Sequence, residues 1–117
     1  STFAANPLVC AVAQVVVKKI SAPQFLEHVR WAGSYLEEGL LELQQRHSQI
    51  RQVRGRGLIW GLETDRDVTP LIQAGYEEGL ITCKAGPRVL RLLPPLIVGR
   101  TELDRAVEIL HRAFGRL

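Results

Sequence analysis

The sequence predicts an α/β (α+β) domain in which about four helices cover a three-stranded sheet. Long stretches carry apolar residues at the three- and four-residue intervals of a helix. Shorter stretches rich in valine, isoleucine and leucine are bounded by glycine and proline, as strands are. Along the chain these stretches alternate as helix, helix, strand, helix, strand, strand, helix. At 117 residues the chain has room for one domain but not for two.

The first helix is predicted to begin at Asn6-Pro7 and to run to about Ile20. Asparagine is a strong N-cap, and proline at the first helical position lacks only an amide hydrogen that would have had no partner. From Leu8 to Val17 almost every residue is apolar, so we expect the helix to be buried on every side. A domain of this size cannot cover it all, and the surplus apolar surface is expected to contact another domain or subunit.

The second helix is predicted to run to about His47, starting after the capping-box spacing of Ser21 to Gln24. Its apolar residues recur at helical intervals and its charged residues take the other face, which indicates a helix packed on a core. Gly33 is helix-destabilising in this position, so it is expected to mark a close contact or a bend. The inward-facing residues are Phe25, Val29, Ala32, Leu36, Leu40 and Leu43.

Residues 50–63 are predicted to form one strand that contains the pair Gly55-x-Gly57. A dinucleotide-binding fingerprint needs a third glycine three residues further on, where this chain has Trp60. The pair also lies inside a strand pattern and not between a strand and a helix. A structural role for these glycines is therefore expected.

The second half of the chain is predicted to contain a helix, two short strands and a final helix. Thr69-Pro70 is expected to cap the third helix, which Gly79 ends from the C-terminal capping position. Strands are predicted over residues 80–83 and 89–93, and Pro94-Pro95 prevents the second of them from pairing further. The last helix is expected to be capped by the segment that begins at Thr101, and its inward-facing residues are predicted to be Leu103, Val107, Leu110 and Phe114.

Arg91 is the strongest candidate for a functional residue, because it lies in the apolar strand 89–93. A guanidinium group keeps its proton and is costly to bury without a partner, so it is expected to bind an anion. The residues alone leave two alternatives open at even odds, an internal salt bridge and the carboxylate of a ligand. Thr2, just before a helix N-terminus, is a weaker candidate for a phosphate contact.

Other chemistries find little support in the composition. Fifteen basic and twelve acidic residues give a net charge of +3 without a basic run, which disfavours a nucleic-acid surface. No segment has the length of a membrane-spanning helix, and membrane association is not expected. Cys10 and Cys83 are predicted to be buried free thiols in a reducing cytosol. The histidines (His28, His47, His111) lack the spacing of metal ligands, so no metal site is predicted and solvated positions on helices are expected.

Three motifs in their proper order resemble class III aminotransferases, which depend on pyridoxal phosphate. Residues 1–10, STFAANPLVC, resemble the family's STFGGNPLAC segment, and residues 53–58, VRGRGL, resemble its VRGxGL strand. Residues 86–96, GPRVLRLLPPL, resemble its GxxVLRLLPPL segment. The resemblance extends over essentially the whole chain and is nearest to the acetylornithine/ornithine subgroup. It implies that residues 1–117 are the small C-terminal domain of a fold-type I enzyme whose large cofactor-binding domain is absent here.

The resemblance also implies roles for individual residues. Arg91 would bind the α-carboxylate of the amino-acid and 2-oxo-acid substrates, with Ser1 as a further substrate contact. Thr2 would bind the phosphate of pyridoxal phosphate across the interface of a cytoplasmic homodimer. No residue of this chain takes a catalytic role, because the family's Schiff-base lysine belongs to the large domain and none of the three lysines lies in a matching motif. Ala4-Ala5 departs from the family's Gly-Gly, which puts the path of the phosphate-contacting turn in doubt.

Because the chain has no methionine and starts directly on a motif, it is expected to be part of a longer protein. This chain by itself is expected to be inactive in transamination. The alternative from another functional class is a stand-alone interaction or dimerisation module. In that case Arg91 would form a structural ion pair, and the first helix would be the interface.

Overall fold

The computed structural model describes residues 2–116, which form four helices and four strands. Ser1 and Leu117 lie outside the described residues. In chain order the elements are α1 (Pro7–Ile20), α2 (Pro23–Arg46), β1 (Ile50–Arg56), β2 (Ile59–Thr64), α3 (Thr69–Glu77), β3 (Cys83–Lys84), β4 (Val89–Leu92) and α4 (Arg100–Gly115). The α/β class is confirmed, and each predicted helix is present within a few residues of its expected bounds.

The sheet has four antiparallel strands in the order β1-β2-β4-β3, so the expectation of three strands was wrong. Residues 50–63 are not one strand but a hairpin, in which Arg56 pairs with Ile59 across the two-residue turn Gly57-Leu58. Gly57 adopts a φ of +58°, and a glycine at the first central position suits such a tight hairpin turn. The turn thus explains this glycine.

The two faces of the sheet differ in environment. One face, which we call the closed face, carries Trp60, Leu62, Leu90 and Leu92 into a core shared with α2, α3 and α4. The other, the open face, carries Arg54, Gly61 and Arg91, and no helix covers it in the part of the chain that the structure describes. Side chains alternate between the faces along each strand, so this one-sided burial follows from the strand period.

The amphipathic helices supply the rest of the core as predicted. Among others, helix α2 buries Ala32, Leu36 and Leu40, and α4 buries Leu103, Leu110 and Phe114. Gly33 marks a close contact, because a Cβ there would lie 2.6 Å from the carbonyl oxygen of Gly57 in the hairpin turn. The helix and the hairpin can therefore approach only because this position has no side chain.

Three of the predicted helix caps were wrong. Thr69 is the first residue of α3, which follows Val68 and has no side-chain cap. The hydroxyl of Ser21 donates to the carbonyl of Val17 at 2.7 Å, so it serves the end of α1, and α2 has no side-chain cap. Helix α4 begins at Arg100 after Gly99 and likewise lacks a side-chain cap. The predicted caps at Asn6 and Gly79 are confirmed: Asn6 accepts from the Leu8 amide, and Gly79 has a φ of +88°.

Helix α1 departs most from its predicted environment. None of its residues is buried by the rest of the described chain, although Leu8 and Val15 are large and apolar and are 74% and 68% exposed. The helix packs mainly against α2 and lies outside the core. The expectation of burial on every side was wrong for this chain by itself, because no other element covers the helix.

No single helix among residues 2–116 is long and apolar enough to cross a membrane. Helices α1 and α2 reach the necessary length and apolar composition only when taken together, and they are bent by 65° relative to each other. The apolar residues of α2 are already used in the core of the domain.

Candidate functional site

Arg91 lies in the middle of β4 with its side chain on the open face of the sheet. Its neighbours in register are Gly61 on β2 and Cys83 on β3. The side chain is exposed, and it makes neither an ion pair nor a hydrogen bond with any residue from 2 to 116. The apolar residues around it in the sequence point to the opposite face. Of the two alternatives for Arg91, the internal salt bridge is therefore not formed within residues 2–116. The N–H donors of the Arg91 guanidinium face outward.

A groove of about 320 Å³ runs along the open face in front of Arg91. Gly61 forms part of its floor, and the apolar side chains of Ile59 and Val89 lie beside it. A second guanidinium group, that of Arg54, lines the same groove. The groove thus combines two cations with an apolar floor, and this combination suits an organic anion.

Arg54 was not identified from the sequence as a site residue. Its guanidinium donates to the carboxylate of Glu63 and, at 2.9 Å, to the side-chain oxygen of Gln52. Arg54 pairs in register with Gly61, as Arg91 does from the other side. Recognising the hairpin in residues 50–63 would have revealed this alignment, whereas a single strand over those residues conceals it.

Thr2 is exposed in a turn that spans residues 2–5 and leads into α1. The side chain of Asn6 caps one amide of the first helical turn, that of Leu8. Ala5 adopts a φ of +58°, a left-handed conformation that glycine takes without strain and alanine does not. The chain therefore follows a glycine-type path at this turn despite the alanine. Thr2 does not line the Arg91 groove, and Ser1 lies outside the described residues.

The lysines occupy two kinds of position. Lys18 and Lys19 lie in the last turn of α1, where a cation interacts favourably with the helix dipole. Lys84 is held by the carboxylate of Asp67 at 2.8 Å and by the hydroxyl of Thr69 at 2.9 Å. Hydrogen bonds from Lys84 and Thr69 hold the pKa of Asp67 well below its usual range. This ion pair ties β3 to the start of α3.

The histidines are not all solvated, contrary to expectation. His47, at the end of α2, is buried and forms a 2.7 Å hydrogen bond between its Nε2 and Nδ1 of His111 on α4. Burial, with smaller contributions from His111 and Arg46, lowers the pKa of His47. His28 contacts the carbonyl oxygen of Val98 at 3.1 Å. Within residues 2–116, no three His, Cys, Asp or Glu side chains are grouped closely enough to hold a metal ion.

Both cysteines are free thiols, and both are exposed, so the prediction that they are buried was wrong. Cys10 lies on the uncovered helix α1, and Cys83 lies on the edge strand β3. Cys83 is directly opposite Arg91, so its side chain shares the open face of the sheet.

Comparison with known proteins gives a consistent result. The family described as Aminotransferase class-III matches residues 1–114. The mitochondrial acetylornithine aminotransferase of Alnus glutinosa is 44% identical over 118 residues, which cover 100% of this chain and 26% of that protein. The acetylornithine aminotransferase of Synechocystis sp. is 40% identical over 122 residues, which cover 100% of this chain and 28% of that protein. This chain therefore spans less than a third of the length of these curated relatives.

Solved structures agree with the sequence relatives. The acetylornithine aminotransferase of Elizabethkingia anophelis superposes with a TM-score of 0.89 at 27% identity, over 100% of this chain and 32% of that chain. The ornithine aminotransferase of Toxoplasma gondii superposes with a TM-score of 0.88 at 27% identity, over 99% of this chain and 28% of that chain. The four helices and four strands described above thus correspond to one part of a larger fold.

Proposed function

Because the chain belongs to the class III aminotransferase family, we propose that it is the small, carboxylate-binding domain of an acetylornithine aminotransferase. The whole protein would transfer an amino group from N-acetylornithine to 2-oxoglutarate in arginine biosynthesis. The names of relatives that are 40–45% identical over the whole chain support this choice of substrates. The observation that carries the proposal is the exposed guanidinium of Arg91 in the open-face groove, which has no ion-pair partner within residues 2–116.

Arg91 would bind the α-carboxylate that both substrates share. A guanidinium group offers two parallel N–H donors that match the two oxygens of a carboxylate, so it fixes the orientation of the bound molecule as well as its position. The groove floor at Gly61 bears no side chain and leaves room for the substrate beside the strand. In this way Arg91 would present the amino or oxo group in one direction only.

Pyridoxal phosphate is proposed as the cofactor, held only in part by this chain. When bound, this cofactor supplies the carbonyl group that accepts and returns the amino group. Thr2 fits a phosphate contact, because its hydroxyl is exposed beside the N-terminus of α1, where the helix dipole favours an anion. The three lysines are placed in the last turn of α1 or in an ion pair with Asp67, which does not suit a lysine that binds the cofactor. That lysine would come from the rest of the protein, and this chain alone is proposed to be inactive.

The uncovered apolar surface of α1 supports a proposal about partners. Its exposed valines and leucine would contact the large domain or the second subunit of a homodimer, because surface of this kind is rarely left in water. In such a dimer Thr2 would contact the cofactor of the opposite subunit. We place the protein in the cytoplasm.

Replacing Arg91 by alanine in the complete protein tests the central assignment. The variant should raise the KM of both the amino donor and the oxo acid, equivalent to about 2–5 kcal/mol of lost carboxylate binding. Arg56→Ala is the matched control, because Arg56 is an exposed arginine on the same face of β1 that does not line the groove. Unchanged KM values for both substrates in Arg91→Ala would contradict the assignment.

A further inference from the structure

A groove of about 330 Å³ runs between α2 and α4. These helices pack on the closed face of the sheet, whereas Arg91 lies on the open face. We propose that this groove, which we call the helix groove, is a docking site for a basic amphipathic helix of a partner protein. No residue lines both the helix groove and the groove in front of Arg91, so the two surfaces are separate.

The floor of the helix groove is apolar. Leu36 and Leu43 line it from α2, and Gly39 lies between them in the sequence. A Cβ at Gly39 would come within 3.0 Å of a methyl group of Val107 on α4. The missing side chain therefore lets the two helices approach and leaves no polar group at this point of the floor. An amphipathic helix lays its apolar side chains into a groove of this kind.

Exposed aromatic side chains extend the floor beyond one end of the groove. Tyr35 lines the groove, and Trp31, one turn earlier in α2, stacks on it with ring centroids 5.8 Å apart. The guanidinium of Arg100 lies over the Tyr35 ring, 4.9 Å from its centre. Trp31 remains 42% exposed. Tryptophan, tyrosine and arginine contribute most strongly at protein interfaces, so this end of the groove fits an anchor for a partner's apolar side chain.

The rims of the helix groove determine the charge of its occupant. Glu38 and Glu42 lie one turn apart on α2. Asp104 and Glu108 lie one turn apart on α4, and all four carboxylates are exposed. Positions four residues apart are separated by about 6 Å along a helix axis, so a facing helix with lysine or arginine at the same interval would match both rows. Among the described residues one arginine lines the groove against these carboxylates, although the whole chain has a net charge of +3.

Most of these carboxylates are available to a partner. Glu38 has no ion-pair partner among residues 2–116. Asp104 accepts a hydrogen bond from the hydroxyl of Tyr35 at 2.6 Å, which leaves its charge uncompensated. Glu42 and Arg46 are 3.9 Å apart with both side chains mostly exposed, and a pair of this kind contributes little. Glu108 alone is held closely, by an arginine of its own helix outside the groove.

A synthetic peptide of about 15 residues, enough for about four helical turns, tests the docking site. It has a leucine stripe flanked on both sides by lysines at four-residue intervals. Fluorescence anisotropy of the labelled peptide measures its affinity for the complete protein. The matched peptide has glutamate in place of each lysine, and spermidine serves as a polycation without helical shape. The lysine peptide should bind, the glutamate peptide should not, and spermidine at equal concentration of positive charge should not displace the lysine peptide.

Substitutions at exposed positions locate the bound peptide. Trp31→Ala should weaken binding of the lysine peptide about tenfold, as expected for an aromatic anchor. Glu38→Gln and Asp104→Asn should each weaken it about two- to fivefold. Glu37→Gln is the matched control, because Glu37 is an exposed glutamate of α2 that does not line the groove, and it should leave the affinity unchanged. Arg91→Ala should also bind the peptide as before, so the result does not depend on the proposed function.

Several outcomes would overturn the docking site. These are a lysine peptide that does not bind, one whose affinity the Trp31, Glu38 and Asp104 variants leave unchanged, and one that Glu37→Gln weakens as much as Glu38→Gln. Full displacement by spermidine would mean that the groove recognises charge alone and takes a small polyamine. A peptide that lowers the oligomeric state in size-exclusion chromatography would assign the groove to a second copy of this chain. The supporting result is tight binding of the lysine peptide that is lost in Trp31→Ala and kept in Glu37→Gln.

Discussion

The closed and open faces of the sheet are built from the same strands and yet serve different purposes. On β4, Leu90 and Leu92 enter the core, while Arg91 between them faces outward without a hydrogen-bond or ion-pair partner among residues 2–116. On β2, Trp60 and Leu62 are buried, while Gly61 between them opens a groove. Buried packing is thus concentrated on one face, and the proposed anion-binding residue lies on the other. The difference shows that a binding residue can stand in an apolar strand without the cost of burying a charge.

The residues on either side of Arg91 and Gly61 in the sequence are buried. Packing on the closed face therefore fixes the positions of the residues on the open face. The backbone of β4 is held by pairing with β2 and β3 and by the burial of Leu90 and Leu92. A guanidinium group on such a strand is oriented by the strand itself, as a precise carboxylate site requires. Substitutions on either face of the same strand should therefore have effects of very different kinds.

The largest effect is expected for Leu90→Ala on the closed face. Leu90 is completely buried, and removing most of its side chain should lower the free energy of unfolding by about 2–5 kcal/mol. Val89→Ala, the adjacent position on the open face, should cost less than about 1 kcal/mol. Urea unfolding curves for the two variants give the comparison directly. Equal losses would mean that the open face is as tightly packed as the closed one.

A smaller difference is expected between two glycines. Gly55 shares the closed face with Trp60, and a Cβ there would clash with the backbone carbonyl oxygen of Ile59 and lie 2.5 Å from Cδ2 of the indole, closer than any stable contact. Gly55→Ala should therefore cost about 1–3 kcal/mol through displacement of the tryptophan and of the hairpin backbone. At Gly61, on the open face, a Cβ would meet a methyl group of Val89 at 3.3 Å, and this side chain can move aside.

Gly61→Ala should thus change the free energy of unfolding by less than about 1 kcal/mol, while it narrows the groove between Arg54 and Arg91. Tryptophan fluorescence should shift in Gly55→Ala and remain unchanged in Gly61→Ala. A shift in both variants would show that the indole is sensitive to the open face as well, contrary to the separation described here.

The sequence predicted the closed side of the molecule better than the open one. Periodicity identified α2 and α4 and their inward residues, because amphipathic spacing reports directly which side of a helix is buried. It failed for α1, whose residues are apolar all round, since spacing then contains no information about what covers the helix. Arg54 was missed because residues 50–63 were interpreted as one strand and not as a hairpin, and because the second half of its alignment with Arg91 depends on pairing between β2 and β4, which are distant in sequence.

The resemblance to family motifs indicated candidate site residues that periodicity could not identify, but only at positions where the family pattern specifies a side chain. It indicated Arg91 and Thr2 as site residues. At Ala5 the backbone is left-handed, so the turn keeps the path of a glycine even where the family's glycine is absent. The resemblance gave no information on the pair formed by His47 and His111, because that contact joins the ends of two helices outside the matching motifs.

The smallest effect is expected from protonation, and it should arise on the closed side. His47 lies in the helical layer, stacked on Phe114 and hydrogen-bonded to His111. Burial, then the nearby charges of His111 and Arg46, lowers its pKa in the folded protein. As the pH falls below about 6.5, the unfolded chain binds a proton at this position that the folded chain does not. The free energy of unfolding should therefore decrease as the pH falls, and level off once the pH is below the folded-state pKa.

Urea unfolding at about pH 7.5 and 5.5 measures this decrease, which His47→Gln should reduce. A pH dependence that is unchanged in His47→Gln would place the responsible group elsewhere, and the exposed charges of the open face would then be the next to test.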